Sequence, residues 1–210
     1  MGSRAASIRA WDRKYQGAHP RWRGPSTHAL MVPEGTRVLE LGCGDGKTLR
    51  GLVGQGHETI ALDFSRQALL SSRGRMSKDE RTHLVEGDGS ALPFASGSFQ
   101  LVVAHHFLEH LEAEERRSSA IEVARVLSPG GTLSVRAFGR EDMREGKGDV
   151  TEPSTYLREG IAYHYFQEEE LKELFKALTL DSMRTEVASK RFAGELKNRV
   201  VLHAAFHKGL

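Results

Sequence analysis

The chain has 210 residues, a formal net charge of +2 and a pI near 8.7. That length suits one domain with a substantial core, and so weak a basic excess argues against an obligatory nucleic-acid partner. No apolar run approaches the roughly 20 residues needed to span a bilayer. The one cysteine, Cys43, excludes an intrachain disulfide and a cysteine-rich zinc site, and it suits a reducing compartment such as the cytoplasm.

Residues 1–30 carry Arg4, Arg9, Arg13, Lys14, Arg21 and Arg23 against Asp12 alone. They read as a basic N-terminal segment, added to a single domain over residues 31–210. From there strand and helix patterns alternate. Strands are expected over 36–41, 58–62, 82–86, 99–104 and 131–137, with helices over 46–54, 65–76 and 113–127. The turn Ser128-Pro129-Gly130-Gly131 should stop the third helix and start the fifth strand. Gly139 to Gly160 is polar, charged and without a period. It exceeds a usual connection, which favours a functional excursion or a mobile lid. A helix over 167–178 follows, with Leu171, Leu174, Phe175 and Leu178 at helical spacing. Strands near 180–188 and 199–206, joined by a basic loop around Lys190-Arg191, should pair as a hairpin. The alternation implies a doubly wound α/β fold with a mostly parallel sheet.

The most informative stretch is Val38-Leu39-Glu40-Leu41-Gly42-Cys43-Gly44-Asp45-Gly46, followed by Ile60-Ala61-Leu62-Asp63. A strand running into alternating glycines, and a second strand ending on an acid, is how an open α/β sheet grips an adenosine-containing cofactor. A dinucleotide fingerprint would place its third glycine at 47, which is Lys; glycine falls at 46 instead, which weakens that reading without removing it. Gly46-Lys47-Thr48 resembles the tail of a phosphate-binding P-loop, but the leading glycine would sit at 41, which is Leu.

Further blocks follow in order: Ala61-Leu62-Asp63-Phe64-Ser65, Gly87-Asp88-Gly89-Ser90-Ala91-Leu92-Pro93-Phe94, Ser98-Phe99-Gln100-Leu101-Val102-Val103-Ala104 and Glu122-Val123-Ala124-Arg125-Val126-Leu127-Ser128-Pro129-Gly130-Gly131-Thr132-Leu133. Tyr165-Phe166-Gln167-Glu168-Glu169-Glu170-Leu171 opens the helix before the hairpin. In this succession the chain resembles the class I S-adenosylmethionine-dependent methyltransferases, in their small-molecule, type 11-like branch, over residues 34–205. The resemblance implies a Rossmann-like seven-stranded sheet with its last strand antiparallel, and S-adenosylmethionine as cofactor. It also implies that Glu40, Gly42, Cys43 and Gly44 form the loop beneath ribose and amino-acid tail. Asp63 would accept the ribose hydroxyls, with Ser65 beside it, and Phe64 would lie along the adenine. Asp88 would accept the adenine amino group, and Gly89 and Ser90 would offer backbone N–H. The thiol of Cys43 reads as a packing residue, with no base beside it in sequence.

Methyl transfer from a sulfonium is an in-line displacement, needing a base only where the acceptor is protonated. The acceptor side should be built by loops after the fourth and fifth strands. Ala104-His105-His106-Phe107-Leu108-Glu109-His110-Leu111 lies there. His105 and His106 are expected to line the cleft, His105 near the methyl donor and His106 as the candidate base. His106 and His110 share a helical face, but without a zinc-helix order no metal is expected. Arg136, Tyr163 and His164 are further substrate-side candidates, and Tyr15 or Trp22 should cap the cofactor site. The expected acceptor is a small molecule; the basic arm keeps RNA or protein as an alternative, and a nicotinamide-dependent oxidoreductase is the other.

Overall fold

The computed structural model describes residues 2–16, 33–74, 80–192 and 194–210. Trp22, Arg21 and Arg23 lie outside the described residues, as do the end of the second expected helix and part of the 1–30 segment. Ten strands and four helices are described: α1 (Gly2–Tyr15), β1 (Arg37–Leu41), β2 (Glu58–Asp63), α2 (Arg66–Arg73), β3 (Thr82–Glu86), β4 (Phe99–His105), α3 (Ala113–Val126), β5 (Leu127–Phe138), β6 (Asp149–Glu152), β7 (Thr155–Arg158), β8 (Ile161–His164), α4 (Glu168–Leu174), β9 (Thr179–Phe192) and β10 (Glu195–His207).

The main sheet has seven strands in the order β3-β2-β1-β4-β5-β10-β9. β1 pairs in parallel with both β2 and β4, and β10 is antiparallel to β5 and to β9. This is the expected α/β architecture, last strand antiparallel. Central strands bury both faces and so read as apolar runs. On one face α3 and α4 supply Val123, Val126 and Leu171 against Leu39, Val102, Val135 and Phe206. On the other, Leu69 of α2 packs with Cys43, Leu49 and Ala61.

Four local expectations are corrected. Residues 46–54 form turns and a single 3₁₀ turn, Leu49–Gly51, rather than a helix; glycines at 46, 51 and 54 are poor helix formers. β5 starts at once after α3, and Ser128 to Gly131 form a bulge opposite β4 instead of a turn before the strand. The 139–160 segment, read as an excursion or mobile lid without a period, carries strands β6 and β7, which with β8 form a three-stranded antiparallel sheet, with Ile161 packed on Ala10 and Trp11 of α1. In the terminal hairpin Lys190 and Arg191 belong to β9 and pair with Lys197 and Leu196 of β10.

α1 crosses the C-terminal ends of the parallel strands. Asp12 Oδ1 accepts from the Ser65 hydroxyl at 2.7 Å and from Gln67 N–H at 3.4 Å, at the start of α2. Arg4 pairs with Asp88 and, at 2.6 Å, with Glu115 of α3. Lys14 Nζ donates to the Tyr163 hydroxyl at 2.6 Å.

Candidate active site

The apolar run of β1 ends on buried Glu40 and Leu41 and hands the chain to the glycine loop. The loop is pinned from β2: Gly42 and Cys43 N–H donate to the Leu62 carbonyl, at 2.8 and 3.1 Å, and Gly44 N–H donates to Asp63 Oδ2 at 2.9 Å. Gly44 has φ +56°, and a Cβ there would stand 2.7 Å from the Tyr15 hydroxyl; the loop therefore needs both the left-handed backbone and the bare α-carbon. A Cβ on Gly89 would run into the Phe107 ring.

The pocket framed by these elements is lined by Gly42, Asp63 and Phe64, by Gly87 and Gly89, by Trp11 and Tyr15 of α1, and by His106, Phe107 and His110. Asp63 is buried, and its other oxygen, Oδ1, accepts from Ser65 N–H at 2.8 Å. Burial lifts its carboxyl to about 6, with the charge of Asp12 adding and the backbone donors opposing. Glu40 is lifted further, to about 8, by burial and by the nearby Asp63 charge. Its Oε2 is buried with no hydrogen-bond partner among the described residues. Both carboxyls hold their protons more firmly than free ones, and a positive charge nearby would favour their ionised forms.

The acceptor side follows β4. His106 has φ +56°, an unusual backbone for a side-chain-bearing residue. Its N–H donates to the Arg136 carbonyl at 2.8 Å, and its Nδ1 lies 2.8 Å from Glu109 Oε1. Glu109 is fully buried. Burial alone would raise its carboxyl, but the charge and hydrogen bond of His106, with His110 adding, hold it below the ordinary value. An ionised Glu109 accepts from Nδ1–H, which leaves Nε2 of His106 as the free ring nitrogen. His110 differs: burial lowers it to about 4. It stays neutral, donating Nδ1–H to the Ala162 carbonyl at 2.8 Å.

Glu40, Gly42, Gly44, Asp63, Phe64, Gly89, Tyr15 and His106 are thus gathered at or beside one pocket. Others of the expected residues are engaged elsewhere. The Cys43 thiol is buried in the Leu49–Leu69 cluster, its pKa pushed well up by burial. Ser65 caps α2, its hydroxyl accepting from Ala68 N–H at 3.1 Å and donating to Asp12. Ser90 donates both N–H and hydroxyl to Asp88 Oδ1, at 2.7 and 2.6 Å, so its N–H is not offered to a ligand. Asp88 is a turn residue paired with Arg4. His105 bonds Ser134 at 2.9 Å, and the charges acting on Arg136 come first from Glu186 and Arg184 on β9. Neither lines the pocket. His164 is buried between Thr155 and Glu170, at 2.7 Å from each. Glu109 and Phe107 were missed from the sequence; the i, i+3 spacing of Glu109 from His106 was the available signal.

Residues 39–135 match the family model for a methyltransferase domain. This stretch holds the glycine loop, Asp63 and the His106 turn, so the core of the chain is similar to a methyltransferase domain. It is 34% identical over 117 residues to the demethylmenaquinone methyltransferase of Clavibacter sepedonicus, covering 56% of this chain and 47% of that protein. It is 27% identical over 164 residues to the tRNA N(3)-cytidine methyltransferase METTL2 of Danio rerio, covering 72% and 46%. The chain thus spans about half the length of these curated relatives. Among solved structures, an S-adenosylmethionine-dependent methyltransferase from Anabaena variabilis aligns with a TM-score of 0.75 at 15% identity, over 99% of this chain and 96% of that one. The N-methyltransferase NodS from Bradyrhizobium japonicum, in complex with S-adenosyl-L-homocysteine, aligns at 0.72 and 18%, over 97% and 98%.

The residues of the pocket fit such a cofactor. The bare α-carbons admit close approach, and the unpartnered Glu40 oxygen beside Asp63 suits a positively charged ligand.

Proposed function

We propose that this methyltransferase transfers a methyl group from S-adenosylmethionine to a small-molecule acceptor. The observation that carries this reading is the enclosure of the His106 side of the pocket by rings. His106 lies 5.0 Å from Phe138, and His110 is met edge-on by Trp11 at 4.9 Å and by Tyr163 at 5.0 Å. The cations that suggested a polyanion contact are partly turned inward: Arg4 pairs with Asp88 and Glu115, and Lys14 with Tyr163. The relatives named for demethylmenaquinone support the same reading.

S-adenosylmethionine, when bound, supplies a methyl group already activated by its positive sulfur. Gly42 and Gly44 would let main chain lie against it, and Glu40 would face its positive charge. Asp63 would take the ribose hydroxyls through lone pairs that Gly44 and Ser65 leave free, and Phe64 and Gly89 would border the adenine. His106 Nε2 would take a proton from the acceptor, and Glu109 would stabilise the charged ring so formed. Trp11 and Tyr15 of α1 would hold water away from the acceptor.

The test supplies the chain with methyl-labelled S-adenosylmethionine and, separately, a deproteinised metabolite extract and bulk tRNA. Label is expected in the small-molecule fraction. Label in the tRNA alone would overturn the reading and favour the METTL2-like alternative.

A further inference from the structure

The main sheet ends on two different edges. β3 is an edge of five residues, Thr82–Glu86. β9 is an edge of fourteen, Thr179–Phe192, and pairs with β10 alone among the described strands. Its sequence contains no proline. Its register with β10 is unbroken over residues 182–192, the irregularity falling opposite Ala205 and Phe206 near its start. Such an edge presents a row of backbone N–H and C=O groups to any strand that can approach. Native chains blunt it with a short strand, a proline, a bulge or repelling charge. The first three devices are missing over residues 182–192, and the charges there come in both signs.

Side chains alternate along a strand. Arg184 and Glu186 share one face, and both are exposed, at 60% and 38% of the side chain. Glu186 meets His203 at 2.9 Å and Arg184 at 3.8 Å. The other face carries Met183, Thr185 and Val187. Met183 packs on the main core, whereas Val187 is 56% exposed. Thr185 donates its hydroxyl to Glu168 Oε1 at 2.7 Å, at the start of α4.

We propose that β9 docks on the β9 of a second copy of this chain, as a two-fold antiparallel pair centred on Thr185. A two-fold axis normal to the sheet sets each residue opposite one that lies equally far beyond the centre. Centred on Arg184 or on Glu186, the pairing would set like charges against each other at the axis. Centred on Thr185, it sets Arg184 of each copy against Glu186 of the other. On the opposite face it sets exposed Val187 against Met183, again twice. Opposite charges and apolar side chains directly across from one another stabilise a strand pair, and like charges destabilise it. The order Met183-Arg184-Thr185-Glu186-Val187 is therefore complementary to itself in reverse. Docking would join two seven-stranded sheets into one. The pocket lies at the ends of β1 to β4, with β5 and β10 between it and β9, so each copy keeps its own site.

The test measures the mass of the full chain in solution by light scattering and its self-association by sedimentation. A dimer of twice 23.3 kDa is expected. Arg184→Glu and Glu186→Arg should each weaken it tenfold or more, since each variant sets like charges against one another twice. Mixed together, the two variants should form a heterodimer of near wild-type affinity, because the charges across the axis are again opposite at both positions. Thr185→Cys adds an exposed thiol at the axis, Cys43 being buried, and a short bis-maleimide should link the copies. Ser189→Cys, four residues from the axis on either side, should not be linked. S-adenosylhomocysteine affinity should stay unchanged in every variant, which separates lost pairing from lost folding. A monomeric wild type, a dimer undiminished in both charge variants, no recovery on mixing, or linkage at position 189 in place of 185 would overturn the proposal.

Discussion

His106 and Glu109 face one another at 2.8 Å, Nδ1 to Oε1, across the 3₁₀ turn that follows β4. Glu109 is fully buried, and its second oxygen has no hydrogen-bond partner among the described residues. Its charge is answered chiefly by His106, and the histidine ring is aimed by the carboxylate. The left-handed backbone at His106 places the ring there, held by the N–H bond to the Arg136 carbonyl. Strain of this kind persists only where the surroundings over-determine it.

Replacing the carboxylate by an amide should therefore leave a folded chain with a poorly aimed base. Glu109→Gln is expected to lower kcat by about tenfold to a hundredfold, and His106→Ala by more, in the range of general acid–base effects. KM for S-adenosylmethionine should stay near the wild-type value. Steady-state kinetics on the acceptor found by labelling would check this; an unchanged kcat in Glu109→Gln would remove the positioning role.

Glu40 and Asp63 give a pH prediction. Their folded carboxyls sit at about 8 and about 6, above the reference values of 4.5 and 3.8. The folded state keeps protons that the unfolded chain has released, so the contribution of these groups to stability is largest in acid and falls as pH rises toward those folded values. A cationic ligand reverses the preference by favouring the carboxylates. Cofactor binding near neutral pH should therefore release protons, and affinity should rise from about pH 6 to about pH 8. Calorimetry in two buffers of different ionisation heat reads the protons directly. Glu40→Gln should abolish most of the release and weaken binding.

The parallel core was legible because central strands, buried on both faces, read as apolar runs between glycine and proline stops. Val38 to Leu41 and Leu101 to Ala104 announce themselves in this way. The small β6-β7-β8 sheet did not. Its strands are four residues each, and exposed Val150 and Leu157 break any alternation that Thr155 and Ile161 begin. The site was legible where backbone imposed the residue, as at Gly44, and less so where side-chain direction decided. His105 and His106 are adjacent in sequence, yet β4 ends at His105 and the left-handed backbone at His106 sends its ring another way. One meets Ser134 in the sheet and the other lines the pocket.

Gly44→Val tests the loop. The residue is left-handed, and a side chain would collide with the Tyr15 hydroxyl. A β-branched residue there strains the backbone and pushes at α1. Loss of S-adenosylhomocysteine binding is expected, by more than tenfold in a titration, with far-ultraviolet circular dichroism retained. Tyr15→Phe removes only the hydroxyl and serves as the partner variant; wild-type affinity in Gly44→Val would end the close-approach argument.

His164 looked like a substrate-side residue from its aromatic neighbours, but its two nitrogens join β7 to α4 through Thr155 and Glu170. At 2% exposure it is out of reach of a pocket ligand. Its replacement should act on stability and not on chemistry. His164→Leu leaves the Thr155 hydroxyl, also buried, without its ring partner, which typically costs about 1–3 kcal/mol. The urea midpoint is therefore expected to fall while kcat, measured well below that midpoint, stays within about twofold, because surviving folded molecules keep His106 and Glu109 in place. A kcat that collapses with the urea midpoint unmoved would return His164 to the acceptor side.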